Sequence, residues 1–111
     1  MKGCVYFIRP VGALGPVKIG HANNPHERLR DCQAHSPVAL EIAAILPVAE
    51  TGKRVMQLHM ERRFHIKYAD SRLHHEWFAA TPELLADIGA VNGGTFDAES
   101  LPKPSWTRAA A

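Results

Sequence analysis

Val5-Tyr6-Phe7-Ile8 and Val17-Lys18-Ile19-Gly20 decide the fold of this chain. The first is β-branched and aromatic, a composition that suits a pleated, half-buried strand, and Pro10 with the Gly12 and Gly15-Pro16 punctuation ends it. The second reads as another short strand. So little chain separates the two that the connection is a hairpin, with antiparallel strands. Working outward, Asn24-Pro25 is a helix start. Asn24 suits the N-cap, where a side-chain oxygen accepts an otherwise unpaired amide, and Pro25 suits the first helical position, where no amide is needed. That helix is predicted to run to about His35, before Ser36-Pro37. Leu40 to Leu46 reads as a third strand, and Thr51 as the cap of a long helix through Lys67 or Tyr68. After a loop come Glu76-Trp77-Phe78 and then a second clear helix start, Thr81-Pro82-Glu83, running to about Ile88. The order β-β-α-β-α-α predicts a small α+β domain with a three-stranded, mostly antiparallel sheet flanked by helices. Asn92-Gly93-Gly94 closes the pattern, so a domain over residues 1–92 and a tail over 93–111 are expected.

A chain of 111 residues holds one domain, and 46% apolar with 22% charged residues excludes a disordered or fibrous protein. The formal net charge of +2 decides nothing about nucleic acid, but its distribution does more. Met1 to Ala80 carries eleven Lys/Arg against seven Asp/Glu, a balance of +4, whereas the remainder carries two against four, a balance of −2. The basic part can approach phosphates more easily than the C-terminal part. Cys4 and Cys32 form no C-x-x-C motif, no apolar stretch follows Met1-Lys2, and no apolar run has the length of a membrane span. A reducing cytoplasm with two buried free thiols is expected.

Helical angle separates polar residues that sequence distance does not. In the first helix Leu29 and Cys32 mark the buried stripe; at roughly 100° per residue Arg28 flanks it and Arg30 points well away. In the long helix Met56, Met60, Phe64 and Tyr68 step by four along the buried face, and Glu61 lies at its border with His65 slightly further round.

Taken in order, Val5-Tyr6-Phe7-Ile8, Val17-Lys18-Ile19-Gly20-His21 and Glu27-Arg28-Leu29-Arg30 resemble the start of a GIY-YIG nuclease domain. More closely, they resemble the compact branch that includes the meiotically up-regulated gene domain and its phage relatives. Glu61-Arg62-Arg63-Phe64-His65 is similar to that branch's helix, and Glu76-Trp77-Phe78 to its Glu-Trp-Phe. The match covers roughly Val5 to Ile88. The first namesake motif reads Val-Tyr-Phe, with Tyr6 the tyrosine carried over. In the second, Lys18 stands where a tyrosine is usual, a variation that resembles one in some restriction enzymes.

The resemblance implies a metal-dependent endonuclease that hydrolyses phosphodiester bonds in DNA, with RNA left open as a substrate. Glu61 is the implied ligand of a divalent metal, Mg²⁺ or Mn²⁺, which can hold a non-bridging oxygen and the leaving group while keeping several waters. Arg28 supplies a fixed positive fork to a phosphate oxygen. Tyr6 is the general base by analogy. Its phenol, with an unperturbed pKa near ~10, needs help from Lys18 and His21. Lys53, Arg54, Arg62, Arg63, Lys67 and Arg72 form a basic run that either is a solvated face or tracks a duplex backbone. Glu76 is expected to pin its loop by hydrogen bonds, and Trp77 and Phe78 to be core rather than base-stacking residues.

Read without the resemblance, Tyr6 is a plain strand aromatic, Lys18 a solvated strand residue and His21 a loop histidine. His26, His35, His59, His74 and His75 lack ligand spacing, so no structural zinc is expected. Two other functions compete with the nuclease. One is a catalytically weak or inactive nucleic-acid-binding module on the same fold; the other is a small interaction protein that uses its tail. No membrane partner is expected, and with one active site a double-strand cut requires a homodimer or two sequential nicks.

Overall fold

The computed structural model describes residues 3–48 and 54–103, the side chains of 54–57 excepted. Strands β1 (Cys4–Pro10) and β2 (Val17–Ala22) form the expected antiparallel hairpin, with Tyr6 opposite Gly20 and Ile8 opposite Lys18. Helix α1 (Pro25–Ala34) starts as its residues dictate: the Asn24 side chain accepts the Glu27 amide at 3.2 Å, and Pro25 occupies the first turn. Strand β3 (Leu40–Pro47) lies antiparallel on the other side of β1. Helix α2 spans Arg54–Lys67, and the cap expected at Thr51 lies outside the described residues. Helix α3 (Pro82–Asn92) is capped by Thr81, which accepts the Leu84 amide, and continues a turn beyond Ile88.

The sheet has five strands, not three. Arg72–His74 (β4) and Trp77–Phe78 (β5) form a small hairpin, and β5 pairs with the free edge of β2, giving the order β3-β1-β2-β5-β4 with every pair antiparallel. Strands of three and two residues are too short for a period-two pattern, and β4 is wholly exposed. The α+β class stands, and the sheet is wider than the long strands alone suggested.

The strand period of two sorts side chains onto two faces. Val5, Phe7, Val17 and Ile19 pack with Phe64, Tyr68, Leu84 and Ile88 beneath α2 and α3. Tyr6 and Ile8 pack with Leu29 and Cys32 beneath α1. A bulge keeps β3 in step with this division. Phe7 pairs with Ala44 but Ile8 with Ile42, so Ala43 is the extra residue, and its carbonyl accepts the Asn92 side chain at 2.9 Å. Without the bulge Ile42 and Leu40 would turn to the wrong face.

The packing does not end at Asn92. Phe96 stacks on Phe64 at 5.3 Å, Leu101 is 3% exposed within the larger core, and Arg63 donates to the Leu101 and Pro102 carbonyls at 2.9 and 3.3 Å. Two isolated apolar residues and a buried guanidinium thus hold the segment after Asn92 against the core. Cys4 is a buried free thiol whose Sγ donates to the Ala22 carbonyl, while Cys32 is only half-buried. Among the described residues no helix is long and apolar enough to cross a membrane.

Candidate functional site

The site is built where β1, β2, α1 and α2 meet. Tyr6 lies on the α1 face, directly over Gly20 on the neighbouring strand. A Cβ placed on Gly20 would come within 2.3 Å of the Tyr6 hydroxyl oxygen, so only glycine lets the ring lie down across β2. Lys18, on the same face, places Nζ 3.0 Å from Glu76 Oε1 and 5.9 Å from the centroid of the Trp77 ring. Glu76 also anchors β5 to β2, its carbonyl accepting the Ile19 amide at 3.0 Å. With Arg28 and Asp31 from α1, these groups line a cleft of about 520 Å³.

A second cleft, of about 310 Å³, opens on the other side of Arg28. It is lined by His21 through Asn24 together with Glu27, and Arg28 and Asp31 line it as well. The two openings therefore share one wall. His21 turns toward α2, where its Nδ1 meets Glu61 Oε1 at 3.2 Å. Glu61 is a buried carboxylate with its side chain 7% exposed, so the border position expected from helical angle lies closer to the interior than to water. On the next turn of α2, His65 Nε2 contacts the Ile19 carbonyl at 2.9 Å, which ties the helix to β2 beneath the site.

Charges act unevenly on the Tyr6 phenol. Burial pushes its pKa up strongly; the Glu76 carboxylate adds to the rise, as do Cys32 and Glu61, while Arg28 opposes it. Lys18, expected to assist ionisation, is ion-paired with Glu76. In this arrangement the phenol holds its proton at neutral pH.

Of the five residues expected to be catalytic, Tyr6, Lys18 and Arg28 line the larger cleft, His21 and Arg28 line the smaller one, and Glu61 lines neither but contacts His21. The expected basic track does not stay together. Arg63 is buried and bonded to main-chain carbonyls, and Lys67 is paired with Asp87 at 2.7 Å, so neither is presented to a duplex. Arg62 and Arg72 are exposed, Arg72 donating to the His75 carbonyl. Lys53 and the Arg54 side chain lie outside the described residues.

Asp31 and Trp77 are among the lining residues that were not singled out as site residues. Asp31 follows Arg28 by three positions on α1, a spacing that puts both on one face and that the helical angle could have revealed. Trp77 needed the β2–β5 pairing, which no sequence pattern announces. Among the described residues no group of three or more His, Cys, Asp and Glu could hold a metal ion.

Neither a curated protein nor a solved structure matches the chain. The T5orf172 domain family matches residues 3–91, far more than half of the chain. The chain accordingly belongs to the T5orf172 domain family, a nuclease-like domain.

Proposed function

We propose that the protein is a GIY-YIG-type endonuclease that hydrolyses phosphodiester bonds in DNA with one divalent metal. The observation that carries the reading is the position of Arg28, which lines both clefts. It shares the larger cleft with Tyr6 and Lys18 and the smaller one with His21, whose Nδ1 meets Glu61.

The donor set fits a hard ion that keeps most of its water. Such an ion requires few protein carboxylates, and Glu61, whose Oε1 meets His21 Nδ1, offers one. Mg²⁺ or Mn²⁺ held by Glu61 would supply charge neutralisation at the phosphate and the leaving oxygen. The chain's own residues do the rest. Arg28, exposed on α1, binds a non-bridging phosphate oxygen through its planar fork and offsets the charge that grows during displacement. His21, with Nδ1 toward Glu61, leaves Nε2 to take a proton from the attacking water. Tyr6, kept protonated by burial, donates a hydrogen bond that orients water or phosphate. Lys18 and Glu76 hold β5 against β2 and keep the Tyr6 wall in place. This reading moves the base role from Tyr6 to His21 and keeps both in the machinery.

A supercoiled-plasmid assay tests it. Nicking that appears with Mg²⁺ or Mn²⁺, disappears with EDTA and is lost in Arg28→Ala is expected. DNA binding without nicking under every metal condition would instead favour a binding module on the same fold.

A further inference from the structure

Trp77 and Phe78 are neighbours in β5 with opposite fates. Phe78 is fully buried with Ile19 and Phe64 on the α2 face, whereas Trp77 faces α1, stays half-buried and forms part of the larger cleft. Unlike Phe78, Trp77 is left partly open, and what it opens onto is the cleft. At about 520 Å³ this cleft falls within the roughly 300–1,000 Å³ of sites that take small organic ligands. Its apolar wall is Trp77, Leu40 and Pro37, and Arg28, the proposed phosphate contact, lines both this cleft and the smaller one. The Lys18 ammonium and the Glu76 carboxylate add a donor and an acceptor side by side.

We propose that this cleft receives one unstacked nucleobase from the DNA strand whose phosphate Arg28 holds. The inference rests on the reading of Arg28 as a phosphate contact. A base inside a duplex is covered on both faces by its neighbours and offers only its edge to a protein. An aromatic wall beside a phosphate-binding arginine can meet the face of a base only when that base has left the stack. Stacking on an aromatic ring tolerates any base, and the Lys18–Glu76 pair can bond the edge that unpairing exposes.

The test measures affinity in EDTA, where bound DNA stays intact, for three duplexes of one sequence: fully paired, with a single-nucleotide bulge, and with the bulged nucleotide abasic. The full chain binds the bulged duplex about tenfold more tightly than the paired one, and the abasic bulge no better than the paired one. Trp77→Leu brings that ratio to about one, and Trp77→Phe, which keeps a ring, preserves most of it. A fluorescence arm does not depend on altering Trp77. The chain has two tryptophans, so in Trp106→Phe the emission comes from Trp77 alone, and it is quenched by the bulged duplex but not by the abasic one. Equal binding of all three duplexes, a bulge preference that survives in Trp77→Leu, or absence of quenching overturns the proposal. A chain that nicks plasmid yet shows no bulge preference loses only the base pocket. A chain that prefers the bulge yet never nicks loses only the nuclease reading.

Discussion

The two faces of the sheet are built from the same strands and treated differently. Beneath α2 and α3, Phe7, Phe64, Phe78 and Leu84 are sealed from water, with Phe64 edge-on to Phe7 at 5.2 Å and 88°. Beneath α1, Tyr6 and Lys18 share their face with two open clefts, and α1 contributes polar Arg28 and Asp31 where α2 contributes a phenylalanine. Alternate residues of one strand thus serve stability and chemistry separately, so substitutions one position apart should fail in different assays. His21 joins the two: its Nδ1 meets Glu61 on α2, and it lines the smaller cleft beside Arg28.

The largest effect expected on the sealed face comes from removing Phe96 onward. The deletion strips Leu101 and Phe96 from the core and removes the carbonyls that accept from the Arg63 guanidinium. A loss of about 2–5 kcal/mol for a core leucine alone would take a large share of a small domain's stability. Urea unfolding of the truncated chain checks this; an unchanged midpoint would mean that the segment lies on the core without supporting it.

On the open face the matching experiment is Arg28→Ala against Arg30→Ala. Both side chains are exposed, so each should change stability by less than about 0.5 kcal/mol. Arg28→Ala should slow single-turnover cleavage by about 10²–10³-fold, and Arg30→Ala by little, because Arg28 lines both clefts. Equal losses would remove the junction role from Arg28.

Gly20→Ala sharpens the comparison, since it adds a methyl group on the chemical face alone. The new Cβ would sit 2.3 Å from the Tyr6 hydroxyl oxygen, so the ring must move. A cost of about 1–3 kcal/mol and a larger fractional loss of cleavage are expected. A variant that keeps full activity would mean that the position of Tyr6 is immaterial.

The smallest effect is a pH dependence. Burial first, then Glu76, raises the Tyr6 pKa in the folded chain, so the unfolded chain ionises earlier. The stabilisation is complete below the unfolded value near ~10 and is lost as pH climbs toward the folded one. The urea midpoint should therefore fall less steeply above about pH 10 in Tyr6→Phe than in the unmutated chain. Cys4, also raised by burial, is present in both and cancels from the comparison. Identical slopes would place the phenol in water.

Local chemistry was legible and long-range closure was not. Asn24-Pro25 and Thr81-Pro82 announce their helices because a cap is a contact within four residues, and both caps form. The β-branched and aromatic composition of Val5 to Ile8 announces the central strand. The β4–β5 hairpin and the Ala43 bulge carry no periodic signal, and the burial of Arg63 depends on Leu101, which lies 38 residues away. The same division holds at the site. Tyr6, Lys18 and Arg28 stand in recognisable local motifs, whereas the Glu61–His21 contact spans 40 residues, and helical angle could place Glu61 only near a wall. Trp77 entered the cleft through a pairing between β2 and β5 that two residues cannot advertise.

Glu61 carries the central claim, and Glu61→Gln tests it most directly because shape is kept while the charge that a divalent cation requires is removed. Nicking in Mg²⁺ and Mn²⁺, DNA affinity in EDTA and melting temperature are measured together, with Glu76→Gln alongside. The account predicts that Glu61→Gln binds DNA as well as the unmutated chain or slightly better, stays folded and does not nick. Glu76→Gln, which loosens the contact to Lys18, should lose stability first. Nicking by Glu61→Gln at the unmutated rate would contradict the assignment of the metal and, with it, the nuclease mechanism built on this site.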